Sequence, residues 1–273
     1  MRSIVLDKST LQACRADELE RFSEKYRIVL PSALLLEIVT EDSSKPGAPH
    51  WSSYFRKLKN CRFVVTRYLG HFFDEEEQTC RPAGNIDDYR QTRGLKQQLA
   101  VPFEQRQTPE QVYPREQYAA EARDLVDHRR RRLASIGSSE FVRAAVGVTE
   151  VARSARKSSA WAWYQATEPV VFRAWKEYHS RLPLLATRKS FYFMDVWFTN
   201  YYDFRRSCQG PGSCRDVSDE VLINEALDIH YLLNLIVKDG IVSGDGLMRE
   251  TAQAFFPGRL VFADLKQAMD WRA

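Results

Sequence analysis

Several features that mark common protein classes are missing from this chain. Its five cysteines are scattered over 273 residues and odd in number, which argues against a secreted disulfide scaffold. The longest apolar runs, such as residues 32–39, are well short of the roughly 18 residues that a membrane span needs. The N-terminus also lacks a signal-peptide pattern. We therefore expect a cytoplasmic protein with reduced thiols and no membrane partner.

The chain also shows no Ser-His-Asp or Cys-His arrangement of the kind used in nucleophilic catalysis. It does have 44% hydrophobic residues, enough for a substantial core, and its charge is unevenly distributed. Residues 1–42 hold six Lys or Arg against eight Asp or Glu, and residues 216–273 hold five against ten, so these segments carry −2 and −5. Since the whole chain carries +4, residues 43–215 carry +11. Acidic ends and a basic middle suggest that the ends form a cation site and the middle binds a polyanion.

Strands and helices alternate at both ends of the chain. Ser9 is predicted to cap the first helix, with Gln12 completing a capping box, and Pro31 suits the first turn of a later helix. Because helices separate the strands, the fold class is predicted to be α/β with a parallel central sheet. The apolar runs of strand length are residues 3–6, 27–30, 61–66, 240–243 and 259–262.

The segment between these ends has long polar stretches with helical periodicity and many aromatic residues. It predicts a mainly helical insertion at residues 80–215, which separates the two parts of one core, residues 1–79 and 216–273. The aromatic residues are expected to form a helical core, with base stacking as the alternative for those at the edge of the basic surface.

A dense run of arginines marks the insertion as a candidate surface for RNA or single-stranded nucleic acid. Four consecutive arginines point around most of a helix, so they cannot all pair with acids on one face. The alternative is a solvated helix that Asp124, Asp127 and Glu140 neutralise. The candidate nucleic-acid contacts are Arg129, Arg130, Arg131, Arg132, Arg153, Arg156 and Lys157.

Four acidic residues stand out against apolar surroundings. Asp7 and Asp245 each follow a predicted strand, and ligand sites of parallel α/β sheets form beyond the carboxyl ends of the strands. Glu37 and Asp228 lie within apolar helices, where a single exposed acid on the solvated face is the competing interpretation. Glu225, one turn before Asp228, is an alternative third acid.

The order of these motifs resembles PIN-domain nucleases. The family pattern has an N-terminal strand that ends in Asp, a Glu in the second helix, an Asp in an apolar helix and a final Gly-Asp after the next strand. The matching segments are Ile4–Asp7, Leu30–Glu37, Asp228–Leu233 and Ile241–Asp245, in a region a little under half of the chain. The resemblance implies a PIN-like three-layer sandwich with a parallel central sheet.

The resemblance also implies a metal-dependent endonuclease in which water hydrolyses a phosphodiester bond. Asp7, Asp228 and Asp245 would bind Mg²⁺ or Mn²⁺, and Glu37 would bind metal or orient the water. The stretch of sequence between Glu37 and Asp228 is much longer than is common in the family. Either the insertion is a cap that grips the substrate, or the second half is assigned wrongly.

Two functions follow as expectations. The first is a nuclease acting on RNA or single-stranded nucleic acid, which by analogy with the family would suit a toxin or defence role and an inhibitory or complex-forming protein partner. The second is a catalytically silent module of the same fold that binds a partner protein or nucleic acid.

Overall fold

A computed structural model describes residues 1–42, 51–101, 120, 123–127, 129–130, 164–165, 168–169, 171–173, 175–176, 180–207 and 217–272. None of the helices in these ranges is long and apolar enough to cross a membrane. The strands are β1 (Arg2–Leu6), β2 (Tyr26–Leu30), β3 (Phe63–Thr66), β4 (Asp87–Asp88), β5 (Gly240–Val242) and β6 (Leu260–Phe262). The helices are α1 (Lys8–Ala13), α2 (Ala16–Lys25), α3 (Ser32–Asp42), α4 (Trp51–Arg56), α5 (Gly70–Thr79), α6 (Tyr89–Ala100), α7 (Phe191–Ser207), α8 (Asp219–Leu233), α9 (Gly246–Phe255) and α10 (Leu265–Asp270).

The strands form one six-stranded sheet in the order β4-β3-β2-β1-β5-β6. Every pairing is parallel except that of β3 with β4. Strand β1 lies between β2 and β5, and its Ile4 is in register with Ile28 on one side and Gly240 on the other. The two ends of the chain therefore share one sheet, and the predicted α/β fold with a mainly parallel sheet is confirmed.

Burial explains why the central strands consist of apolar residues. In β1, β2 and β3 consecutive side chains are buried, as expected for a parallel sheet covered by helices on both faces. Gly240 allows β5 to approach its neighbour closely, because a Cβ at this position would lie 2.3 Å from the carbonyl oxygen of Leu260. A side chain at this position would force the two strands apart.

The first helical region differs from the prediction in two respects. Asp7, not Ser9, is the N-cap of α1, and its Oδ1 accepts a hydrogen bond of 2.7 Å from the amide of Thr10. Strand β1 ends at Leu6 and α1 begins at Lys8, so Asp7 is in the N-cap position and Ser9 lies inside the first turn. The single predicted helix is also divided at Cys14, because Arg15 is the N-cap of a second helix, α2, and its amide donates to Glu18 Oε2 at 2.8 Å.

The described end of the predicted insertion packs on the core as helix α7, which contacts α5 and α8. Most of its aromatic residues with described side chains are buried in the core, as predicted: Trp197 stacks on Tyr164 with ring centroids 5.2 Å apart and meets Phe255 of α9 edge-on. The start of the insertion also contributes to the sheet, since β4 pairs with β3. The division into two domains at residues 79 and 216 stays a prediction.

Glu76 of α5 fastens α7 to the core. Its side chain is fully buried, and Oε1 accepts from the amides of Ala83 at 2.8 Å and Phe191 at 3.0 Å. Oε2 accepts from the Ser190 hydroxyl at 2.6 Å and the Tyr192 amide at 2.8 Å. A carboxylate from another helix thus binds free amides at the N-terminus of α7, where the helix dipole favours negative charge.

We expect Glu76→Ala to destabilise the protein by about 3 kcal/mol, because it leaves several buried donors without an acceptor. Chemical denaturation monitored by circular dichroism measures this loss. Glu77→Ala is the matched control: Glu77 is the exposed neighbour on the same helix, and its removal should cost less than about 0.5 kcal/mol. Equal losses in the two variants would contradict the role assigned to Glu76.

Candidate acidic site

Asp7 and Asp245 meet at the carboxyl ends of the adjacent strands β1 and β5. The hydroxyl of Ser243 connects them: it donates to Asp7 Oδ2 at 2.6 Å and accepts from the Asp245 amide at 3.1 Å. Asp245 is the N-cap of α9, and its Oδ1 accepts from the amides of Leu247 and Met248. The two acids are therefore held by strand ends and helix caps, as their predicted position after a strand indicated.

The Asp7 carboxylate is buried and makes several hydrogen bonds. In addition to the Thr10 amide and the Ser243 hydroxyl, the Ser9 hydroxyl donates to Oδ2 at 2.8 Å. Charge-assisted hydrogen bonds of this kind offset part of the desolvation of a buried carboxylate. The orientation of Asp7 is thus set by its own local sequence and by β5.

Glu37 lies on α3 and faces α8. Its Oε2 accepts a hydrogen bond of 2.9 Å from the Tyr231 hydroxyl, and its Oε1 lies 3.4 Å from the Lys8 ammonium. Burial raises the pKa of Glu37, and the negative charge of Asp7 adds to this increase. The Lys8 ammonium and the Tyr231 hydroxyl oppose it. Glu37 is therefore a partly buried acid with two side-chain partners, which argues against a fully solvated helix face.

Asp228 of α8 has the most perturbed carboxylate of the site. Its pKa is raised from 3.8 to about 7, first by burial and then by repulsion from Asp245, Glu37 and Glu225. The Tyr202 hydroxyl of α7 lies close enough to favour the ionised form of Asp228. This hydroxyl is buried and makes no hydrogen bond of acceptable length and angle with any residue in the described part of the chain.

The four acids influence one another across the site. The charge of Asp7 acts on Glu37, and the charges of Glu37 and Asp245 act on Asp228. Because charges in partly solvated surroundings are screened over about 10 Å, this mutual influence means that the carboxylates share one region. Acids from the first 37 residues and the last 46 residues of the chain are therefore gathered at one edge of the sheet.

Glu225, the alternative third acid, is engaged elsewhere. Its Oε2 lies 2.7 Å from a guanidinium nitrogen of Arg129, which is 1% exposed. This burial argues against the predicted phosphate contact by Arg129. Arg130 is exposed and pairs with Asp219 in the first turn of α8. The other five candidate nucleic-acid contacts, Arg131, Arg132, Arg153, Arg156 and Lys157, lie outside the described residues.

Carboxylate oxygens, which hard divalent cations prefer as ligands, are the main polar atoms of the acidic site, together with the Lys8 ammonium beside Glu37. Its arrangement is different from a preformed metal site: within the described ranges, no three His, Cys, Asp or Glu side chains are grouped so that they could hold a metal ion. Asp7, Glu37 and Asp245 are instead bound by donors of the chain itself.

The sequence interpretation missed three residues of the site, Lys8, Tyr202 and Tyr231. Tyr231 follows Asp228 by one helical turn, so it could have been found from the spacing of the two residues. Lys8 directly follows Asp7, and this adjacency was a signal too. Tyr202 comes from the predicted insertion, 26 positions before Asp228, and no sequence pattern connects it with the acids.

Comparison with protein-family models, with curated proteins and with solved structures gave no match. The fold and site define an α/β protein with an acidic cluster at the carboxyl edge of a mainly parallel sheet.

Asp228→Asn should stabilise the metal-free protein at high pH. The pKa of the folded state is raised, so ionised Asp228 opposes folding, and this penalty grows as pH rises from about 4 to about 7. We expect the variant to be more stable than the parent by about 1 to 3 kcal/mol at pH 8 and to lose that advantage near pH 4. Denaturation in EDTA across this pH range measures the difference.

The control is Asp270→Asn, since Asp270 is an exposed acid at the end of α10. It should change stability by no more than about 0.5 kcal/mol at either pH. An Asp228→Asn variant that is less stable than the parent at pH 8 would show that ionised Asp228 contributes favourably to the fold.

Proposed function

We propose that the protein is a metal-dependent nuclease of the PIN-like type that hydrolyses phosphodiester bonds in RNA or single-stranded nucleic acid. The observation that carries the proposal is the convergence of Asp7, Glu37, Asp228 and Asp245 at the carboxyl edge of the sheet. The pKa of Glu37 and that of Asp228 are both raised, first by burial and further by the charges of neighbouring acids, and such shifts are typical of functional sites. Without such a role, gathering four acids would only destabilise the fold.

The order of the strands supports the same proposal. The resemblance to PIN domains rests on four motifs that are far apart in sequence, and it requires the two ends of the chain to share one parallel sheet. Strand β1 does pair with both β2 and β5. Each motif also lies in the kind of element that the resemblance requires, with Asp7 and Asp245 after strands and Glu37 and Asp228 on helices.

In this proposal Asp7, Asp228 and Asp245 hold Mg²⁺ or Mn²⁺ through carboxylate oxygens, and Glu37 binds metal or orients the attacking water. A bound divalent ion would supply a water of lowered pKa and charge stabilisation at the phosphoryl group. Ser243 keeps Asp7 oriented, and Tyr231 does the same for Glu37. A cation would favour ionised Asp228, because a positive charge would offset the burial and the repulsion that raise its pKa.

A catalytically silent binding module is the second candidate. It is favoured by one observation, namely that donors of the chain already bind Asp7, Glu37 and Asp245. A site of this kind would retain the acids for orientation of the helices and the sheet, and the basic middle of the chain would bind the partner.

Cleavage of labelled RNA and single-stranded DNA with Mn²⁺ distinguishes the two functions. Asp7→Asn and Asp245→Asn should each lower kcat/KM by at least about 100-fold, since losing a ligand removes several kcal/mol of transition-state stabilisation. Asp270→Asn, a substitution of the same kind at an exposed acid, should cleave as the parent does. A folded parent that cuts neither substrate, or variants that cut as fast as it does, would favour the silent module.

The predicted basic surface can be tested by the salt dependence of binding. Replacing Arg153, Arg156 and Lys157 with Ala should weaken binding of a single-stranded oligonucleotide. Loss of three phosphate contacts should also reduce the slope of log K against log salt by about 2. The control replaces three exposed lysines, Lys59, Lys189 and Lys266, which carry the same total charge. Equal changes in slope would indicate attraction by net charge only.

A further inference from the structure

Arg249 brings a positive charge to the turn that holds Asp7 and Asp245. It lies near the start of α9, one helical turn after the N-cap Asp245. Its Nη1 donates to the carbonyl oxygen of Ser243 at 2.7 Å. Ser243 is also the residue whose hydroxyl joins the two aspartates. The guanidinium is therefore fixed to the end of β5, beside the acidic site.

The charge of Arg249 is not used within the described part of the chain, where it has no carboxylate partner. The usual partner on a helix would be Asp245, four positions earlier. The Oδ1 atom of Asp245 instead accepts from the amides of Leu247 and Met248. An arginine has five N–H donors, and only Nη1 of Arg249 is bound, to a neutral carbonyl. The donors on Nε and Nη2 remain for another group.

These donors lie at an open part of the surface. Arg249 is half-buried, and its Nη2 lies beside Gly246, since a Cβ added to that glycine would be 3.8 Å from it. Gly246 is exposed, so no side chain covers the guanidinium there. Lys8, the other basic residue placed at the site, differs because its ammonium lies 3.4 Å from Glu37 Oε1. Its charge is thus already paired.

A nucleic-acid strand needs positive charge at this edge of the sheet, because the acids of the site repel its phosphates. Helix N-termini commonly bind phosphate, but in α9 the carboxylate of Asp245 already binds two amides of the first turn. A guanidinium is always charged and binds phosphate through two parallel hydrogen bonds. Arg249 therefore has the charge, the free donors and the position that the strand requires.

We propose that Arg249 binds a phosphate group of RNA or single-stranded DNA beside the acidic site. Its Nη1 stays on the Ser243 carbonyl, while Nε and Nη2 donate to the non-bridging oxygens of the phosphate. The inference rests on the proposed nuclease function and deepens it, because it names a residue that positions the strand next to the acids. The contact is direct and forms in the metal-free protein.

The test measures binding of fluorescein-labelled dodecamers of uridylate and thymidylate to the full chain, by fluorescence anisotropy in EDTA over a range of salt. Arg249→Gln removes the charge but keeps an N–H donor for the Ser243 carbonyl. It should weaken binding about 10-fold and reduce the slope of log K against log salt by about 0.7, as expected for one phosphate contact with a single strand. Arg249→Lys keeps the charge and should keep the slope of the parent.

The matched control is Arg93→Gln, the same substitution at an exposed arginine of α6. It should bind as the parent does, although it changes the net charge equally. Arg249→Gln with the affinity and slope of the parent, or equal losses in Arg249→Gln and Arg93→Gln, would overturn the proposal. A purely structural role of the Ser243 contact would lower the stability of Arg249→Gln and leave its slope unchanged.

A second variant tests the contact with Arg249 in place. Gly246→Asp puts a carboxylate beside Nη2, where it should pair with the guanidinium and exclude the phosphate. It should weaken binding and reduce the slope as Arg249→Gln does. Gly258→Asp adds the same charge at an exposed glycine with open space around it and should have a smaller effect. Equal effects of the two aspartates would contradict a phosphate contact at Arg249.

Cleavage assays with Mn²⁺ on the same proteins separate this inference from the proposed function. If the parent cleaves and Arg249→Gln keeps its affinity and slope, the nuclease stands and the phosphate contact falls. If Arg249→Gln loses affinity but the parent cuts neither RNA nor single-stranded DNA, the contact stands and the nuclease falls. A parent that binds neither dodecamer in EDTA overturns the contact.

Discussion

Parallel pairing of β1 with both β2 and β5 is the constraint on which the site depends. Those pairings put residue 7 and residue 245 at the same edge of the sheet, although they are separated by most of the chain. Parallel strands end at the same edge, so any polar residue that follows them is gathered there. The hydroxyl of Ser243 then joins the two aspartates into one hydrogen-bonded unit.

Electrostatic repulsion among the gathered acids explains the character of the surrounding residues. Each acid has a neighbour that can donate a hydrogen bond or a positive charge: Ser9 and Ser243 for Asp7, helix amides for Asp245, and Lys8 and Tyr231 for Glu37. The pKa of Asp228 is raised to about 7, first by burial and then by repulsion from Asp245, Glu37 and Glu225. A fold that keeps such a residue gives up stability, as functional sites commonly do.

Helix α7 connects the predicted insertion with this site. Glu76 binds its N-terminus through three hydrogen bonds, and aromatic residues of α7 pack against α9. Tyr202, in the C-terminal half of α7, lies close enough to Asp228 to favour the ionised form of that acid. The insertion therefore does more than extend a surface, because one of its helices completes the wall of the acidic site.

The sequence by itself determined which segments form strands and helices, and which acids follow the strands. Alternating apolar strands and helices indicated a parallel α/β sheet, and strand-end positions singled out Asp7 and Asp245, because periodicity and turn residues are local properties. It did not determine the N-cap of α1, for which Asp7 and Ser9 were both chemically suitable. The sequence also could not tell whether Asp228 or Glu225 is the third acid, because both lie on the same helix one turn apart and differ only in their surroundings.

Only the tertiary structure decided which charges meet. Arg129 became a buried partner of Glu225, Lys8 turned towards Glu37, and Tyr202 reached Asp228 from another part of the chain. Such pairings depend on how helices pack on the sheet, and packing is set by long-range contacts that leave no period in the sequence. The position of each acid was thus a local property, whereas the charge state of the site depended on the whole fold.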